Sequence, residues 1–236
     1  MQIPENDPRV RAEMVTFKGA SGDVKGYLVR PANAARAPAV VVIHENKGLT
    51  PYIKDGARRA AAQGFIALAP DFLSQVGGTP ANEEDGPEKT RALDMAKTKQ
   101  DALAAAEYLR ALSGTNGKVG SIGFCWGGAL SNQLAVNDPN LNAAVVFYGR
   151  SPASEEVTKI KAKMLLHYGG LDENINKTVP EYEAALKAQG KSYTLNMYEG
   201  AQHAFHNNDN PSRHHPESAA LAWERTMTFL KGALAA

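Results

Sequence analysis

A single cysteine, Cys125, is all the thiol chemistry this chain of 236 residues contains. No disulfide can form within it, and the lone thiol is either a small core residue or a reactive group. A charge of one sign is also missing. Lys and Arg total 26 against 25 for Asp and Glu, a net charge of +1, which excludes the global electrostatic footprint of a nucleic-acid binder. Apolar runs are short: the longest, such as Ala143 to Tyr148, reach six residues, where a transmembrane helix needs about 20. The stretch Met1 to Val10 is polar and holds two prolines, unlike a signal peptide. The cytoplasm is therefore the expected location; an exported precursor whose leader had been removed would read the same. No solenoid repeat and no linker are visible. With 43% apolar and 22% charged residues, the composition is that of a folded globular chain, expected to form one domain over residues 1–236.

What is present is a rhythm of short apolar runs and amphipathic segments. Glu13 to Lys18 and Val24 to Arg30 alternate around a Gly/Ser/Asp turn and predict a β-hairpin. Buried strands are predicted at Ala39–His44, Phe65–Ala69, Lys118–Phe124, Ala143–Phe147, Lys163–Tyr168 and Ser192–Tyr198. Helices are predicted at Pro51–Gln63, Arg91–Leu112, Trp126–Val136, Ser154–Lys161, Thr178–Gln189 and Pro216–Leu234. Asp71 to Lys89, with two prolines and three glycines, reads equally as a lid or binding loop and as a solvated excursion. A hairpin followed by repeated strand–helix units implies an α/β fold: a mostly parallel sheet, an antiparallel hairpin at its start, and helices on both faces. Ligands bind beyond the carboxyl ends of the strands in such sheets.

One of those ends carries Gly123-Phe124-Cys125-Trp126-Gly127-Gly128. This is the G-x-nucleophile-x-G elbow, with cysteine where serine is usual. Reversal from strand to helix in so few residues strains the central residue, and the flanking glycines remove side chains that would collide. The thiol then stands at a helix N-terminus, where the dipole favours a thiolate. Asp172 follows the next strand but one, 47 residues on, and His203 follows the last strand 31 residues later. Nucleophile, acid and histidine thus occur in the order this architecture uses. His203 is the candidate general base and acid, and Asp172 would orient it. Glu45 and Asn46 follow the strand Ala39–His44, whose loop is the usual source of the second oxyanion donor. The backbone amides of Asn46 and Trp126 are the candidate oxyanion hole.

These motifs, together with His44-Glu45-Asn46-Lys47-Gly48, Tyr168-Gly169-Gly170-Leu171-Asp172 and Gly200-Ala201-Gln202-His203-Ala204-Phe205, resemble the dienelactone hydrolase family of the α/β-hydrolase fold. The resemblance covers nearly the whole chain. It implies hydrolysis of an ester or lactone through an acyl-cysteine intermediate, with Cys125, Asp172, His203 and Glu45 as catalytic residues and no cofactor. It also implies that Glu45 contacts the resting thiol and takes its proton when substrate binds. Where family members that act on carboxylate-bearing dienelactones carry an arginine shortly after the catalytic histidine, this chain has His206, then Asn207 and Asn208. One imidazole does not reproduce a bidentate clamp, so Arg91 and Arg150 are the alternative sources of positive charge. Tyr148, Phe205, His206 and Arg91 are the candidate substrate-binding residues, and the expected partner is a small ester or lactone met by a monomer or homodimer.

Other readings are weaker. His203, His206, Asp209, His214 and His215 form a local cluster, but the second histidine of H-E-x-x-H is lacking after His44-Glu45, so no metal is expected. Gly190-Lys191-Ser192 has Ala185 where a P-loop needs glycine. A redox-sensing or otherwise non-catalytic thiol protein on the same scaffold would use Cys125 alone, with no need of Asp172 and His203 in triad order and with no resolving cysteine.

Overall fold

The computed structural model describes residues 2–235. The chain forms two compact units, one running to Gly120 and including Leu234, the other Ser121–Ala233. In the first, β1 (Val10–Gly19) and β2 (Gly22–Pro31) form the predicted hairpin, with Val10 opposite Pro31 and Gly19 opposite Gly22. Gly22 closes the turn at φ +110°, a left-handed angle open to glycine. Strands β3 (Ala37–Ile43) and β4 (Ile66–Pro70) are parallel, while β2 meets β4 antiparallel. The valines of β3 are fully buried, as an interior strand requires. Helix α1 (Pro51–Ala62) links β3 to β4, starting on a proline and followed by Gly64 at φ +102°. Strand order is β1-β2-β4-β3, then β5 (Thr115–Phe124), which runs from one unit into the other.

The segment after β4 is not a structureless loop. It contains a 3-10 turn at Phe72–Val76, another at Glu83–Asp85, and helix α2 (Gly86–Arg91). Asp71 organises it: one carboxylate oxygen accepts from Leu73 N–H (3.0 Å) and Thr79 Oγ1 (2.8 Å), the other from Thr79 N–H (2.8 Å). Lys89 Nζ donates to the carbonyls of Val76 and Gly78. The helix predicted from Arg91 accordingly starts later, at Met95. Helix α3 (Met95–Ala111) begins after Asp94, whose carboxylate caps the N–H groups of Ala96 and Lys97.

In the second unit the end of β5 is followed by β6 (Ala143–Phe147), β7 (Lys163–Gly169) and β8 (Tyr193–Tyr198), the last three parallel and in that order. Helices α4 (Trp126–Asn137), α5 (Glu173–Asn176), α6 (Val179–Ala188) and α7 (Pro216–Ala233) connect and cover them. The predicted helix at Ser154 is a 3-10 turn ending at Lys159. Ser131 on α4 ties its helix to the sheet, bonding Ser121 Oγ at 2.7 Å and donating to Val145 O at 3.0 Å. Closer approach is allowed by glycine: a Cβ on Gly128 would lie 2.7 Å from Phe147 O and 2.8 Å from Gly149 Cα. Among the described residues no helix is long and apolar enough to cross a membrane.

Candidate active site

Strand β5 stops at Phe124, α4 starts at Trp126, and Cys125 is the hinge between them. Its φ of 57° and ψ of −115° are strained for a residue with a side chain. The backbone around it is fully used: Cys125 N–H donates to Phe147 O at 3.0 Å, and Cys125 O accepts from Gly128 and Ala129. Those bonds hold the strained angle and project the thiol from the carboxyl end of the sheet.

Two further loops meet the thiol. The loop after β7 carries Asp172, and the loop after β8 carries His203. They are stitched to each other, Gly170 N–H donating to Tyr198 O at 2.8 Å and Leu171 N–H to Ala201 O at 2.9 Å. Gly169 makes this approach sterically open, because a Cβ there would lie 2.6 Å from Ala201 O and 2.7 Å from Gln202 O. Asp172 is 6% exposed; Oδ1 accepts from Ile175 N–H as the cap of α5, and Oδ2 lies 2.5 Å from His203 Nδ1. His203 Nε2 lies 3.0 Å from Cys125 Sγ. Burial pulls His203 down, but its bonds to Asp172 and Cys125 and the charges of both outweigh it and hold the imidazole up at about 10. The ring is thus a proton holder between Asp172 and Cys125.

These three side chains open into a cleft of about 520 Å³ lined by Cys125, Leu171, Asp172, Glu173, Asn174, Ile175, Gln202, His203 and Arg213. Leu171, 59% exposed, and Ile175 supply apolar surface; Arg213 supplies a cation. Sequence reasoning missed these cleft residues. Glu173 to Ile175 and Gln202 could have been found as neighbours of Asp172 and His203, but Arg213 lies ten residues past His203 in an irregular stretch with no periodic signal. That stretch folds back because His215 N–H donates to Phe205 O at 3.0 Å.

The expected substrate residues are placed elsewhere. Tyr148 and Phe205 are fully buried behind the triad, the Tyr148 ring edge-on to His203 at 5.1 Å and to Phe205 at 5.3 Å. His206 is 2% exposed and stacks on Phe124 at 5.2 Å, with Phe147 and Trp223 also against it. It is a core histidine and does not line the cleft. Trp126 is the half-buried first residue of α4. In the other unit, Arg91 is exposed at the end of α2, and Glu45 and Asn46 stand just past β3. Among the described residues no group of three His, Cys, Asp or Glu side chains could hold a metal ion.

A mostly parallel sheet with a nucleophile elbow and an acid and a histidine on later strand ends defines an α/β-hydrolase. The sequence comparisons narrow the class. The dienelactone hydrolase family model matches residues 24–234, and the chain belongs to that family, whose members hydrolyse esters and lactones. It is 34% identical over 255 residues to a Saccharolobus solfataricus protein named "Putative carboxymethylenebutenolidase", covering 92% of this chain and 97% of that one. It is also 34% identical to a Bradyrhizobium protein named "Probable 2-oxo-3-(5-oxofuran-2-ylidene)propanoate lactonase", covering 90% and 91%. The crystal structure of dienelactone hydrolase from Anabaena variabilis superposes with a TM-score of 0.74 over 96% of this chain and 99% of that one, at 24% identity, and shares the fold.

Proposed function

We propose that the protein cleaves a carboxylic ester or lactone through an acyl-cysteine intermediate, with Cys125 as nucleophile, His203 as acid and base, and Asp172 as the group that orients His203. The observation that carries this reading is the run from Cys125 Sγ to His203 Nε2 (3.0 Å) and from His203 Nδ1 to Asp172 (2.5 Å), open to a cleft. His203 Nε2, 3.0 Å from Sγ, takes the thiol proton and leaves a thiolate. The thiolate attacks the carbonyl carbon, and the carbonyl oxygen takes the negative charge. The Trp126 amide at the start of α4 donates to it, and the Asn46 amide is assigned as the second donor because its loop follows β3. Collapse breaks the carbon–oxygen bond; His203 gives its proton to the departing alkoxide, which in a lactone stays tethered to the acyl group. His203 then takes a proton from water, the hydroxide attacks the acyl carbon, and the thiolate leaves. Glu45 is the alternative acceptor for the thiol proton, a role that rests on the His44–Gly48 motif alone. A single unpaired cysteine suits a reducing cytoplasm.

Arg213 gives the cleft a cation suited to a substrate carboxylate, the charge for which the sequence, with His206 in place of the family arginine, offered Arg91 and Arg150. The propanoate in the name of the Bradyrhizobium relative fits a substrate of that charge. The test compares hydrolysis of p-nitrophenyl acetate and of a carboxylate-bearing dienelactone by wild type, Cys125→Ala and Cys125→Ser. Both variants should lose turnover by at least about 10³-fold, because a hydroxyl in a site tuned for a thiolate is a poor nucleophile. Turnover that survives Cys125→Ala would overturn the mechanism.

A further inference from the structure

The loop 44–49 and the segment 71–91 belong to the same unit and are joined residue by residue. The His44 ring lies between them. Its Nε2 accepts from Phe72 N–H at 3.1 Å, so the proton is on Nδ1, which donates to Glu45 O at 2.6 Å. Asn46 O accepts from Thr90 Oγ1 at 2.7 Å. Lys47 Nζ pairs with Glu84 Oε1 at 2.8 Å, and the Lys47 backbone is packed so closely on Gly86 that a Cβ there would sit 2.6 Å from Lys47 Cα. Gly48, at φ +86°, leaves no room for a side chain beside Thr79 and Leu73. Leu49 N–H donates to Thr79 Oγ1 at 2.8 Å, and Thr79 is itself held by Asp71.

We infer that the segment 71–91 is a fixed brace for the loop after β3, and that His44 and Thr90 are positioning residues which aim the amide of Asn46. The reasoning is geometric. In a trans peptide the carbonyl and the N–H point to opposite sides. His44 grips the Glu45 carbonyl, so the N–H of Asn46, in the same peptide plane, is turned away from the His44 ring. Thr90 grips the next carbonyl, that of Asn46, and so pins the following plane. Two consecutive peptides are fixed from their carbonyl sides, which preorganises the donor instead of leaving it to settle when substrate arrives. The inference rests on the assignment of the Asn46 amide as an oxyanion donor.

The test measures kcat and KM for p-nitrophenyl acetate and, separately, the rate at which iodoacetamide alkylates Cys125. Alkylation needs the thiolate but develops no oxyanion, so it is blind to the aim of the amide. Thr90→Val and His44→Leu should lower kcat by about tenfold or more, within the range for losing one oxyanion donor. KM and the alkylation rate should stay within about twofold, and Thr90→Ser should restore most of the kcat. Unchanged kcat in both variants overturns the brace; so does a parallel fall of alkylation and hydrolysis, which would mark a merely structural role. Asn46→Pro removes the amide N–H itself. If it keeps wild-type kcat, the oxyanion assignment fails and the brace with it. If it loses kcat while Thr90→Val and His44→Leu do not, the brace alone fails.

Discussion

His167 sets a measurable pH dependence on stability. It lies on β7, fully buried, away from the reacting atoms. Thr226 Oγ1 donates to Ala222 O at 2.8 Å, so its oxygen accepts from His167 Nε2–H at 3.0 Å. Nδ1 is then an acceptor, and Tyr198 O–H donates to it at 2.9 Å while Arg225 donates to the same phenol oxygen. Both nitrogens are satisfied with the ring neutral. Burial, with the nearby Arg225 charge, pushes His167 from 6.5 down to about 3. The unfolded chain therefore binds a proton that the folded chain refuses between those values, and stability falls as pH drops through that window. With 1.36 kcal/mol per unit, His167 alone costs about 2 kcal/mol between pH 7 and pH 5, rising to a ceiling of about 5 kcal/mol below pH 3. The assay is urea unfolding at pH 7 and pH 5, followed by fluorescence of Trp126 and Trp223, for wild type and His167→Gln. The intrinsic cost of the substitution cancels in the difference, and so does the contribution of His44, which burial also pushes down. The wild-type loss on acidification should exceed that of the variant by about 2 kcal/mol, or roughly 4–8 °C in melting temperature. Equal losses, within about 0.5 kcal/mol, would refute the picture of a buried neutral imidazole.

Two more expectations follow from single positions. Gly128→Ala places a Cβ 2.7 Å from Phe147 O, a backbone atom that cannot rotate aside. The collision should outweigh the helix propensity of alanine and cost about 1–3 kcal/mol, read as a fall of roughly 3–10 °C in melting temperature; an unchanged or raised value would show that α4 moves off β6 freely. Arg213→Gln should lower kcat/KM for a carboxylate-bearing dienelactone by about 10–100-fold while p-nitrophenyl acetate stays within about twofold, as for a lost charge-assisted bond. An equal effect on both substrates would remove Arg213 from carboxylate recognition.

The parts of this protein that were legible in its sequence are those where backbone geometry dictates residue type. An elbow between β5 and α4 demands small neighbours for Cys125, and glycines at 123, 127 and 128 announce it; the parallel strands announce themselves by β-branched runs, and their ends mark where Asp172 and His203 stand. The segment 71–91 was illegible for the opposite reason. Its order comes from side-chain bonds, Asp71 to Thr79 and Thr90 to Asn46, that span eight and 44 positions and leave no periodic trace. His206 shows how far local reading can mislead. Three residues from His203 it looks like a site residue, yet the backbone passes through Ala204 at φ +66° and delivers His206 into the stack of Phe124, Phe147 and Trp223. Arg213 lines the cleft from an irregular stretch whose return at His215 is pinned to Phe205. Position along the chain therefore marked Cys125, Asp172 and His203, which strand ends bring within hydrogen-bond reach of one another, but not Arg213, whose place depends on how an irregular loop closes on itself.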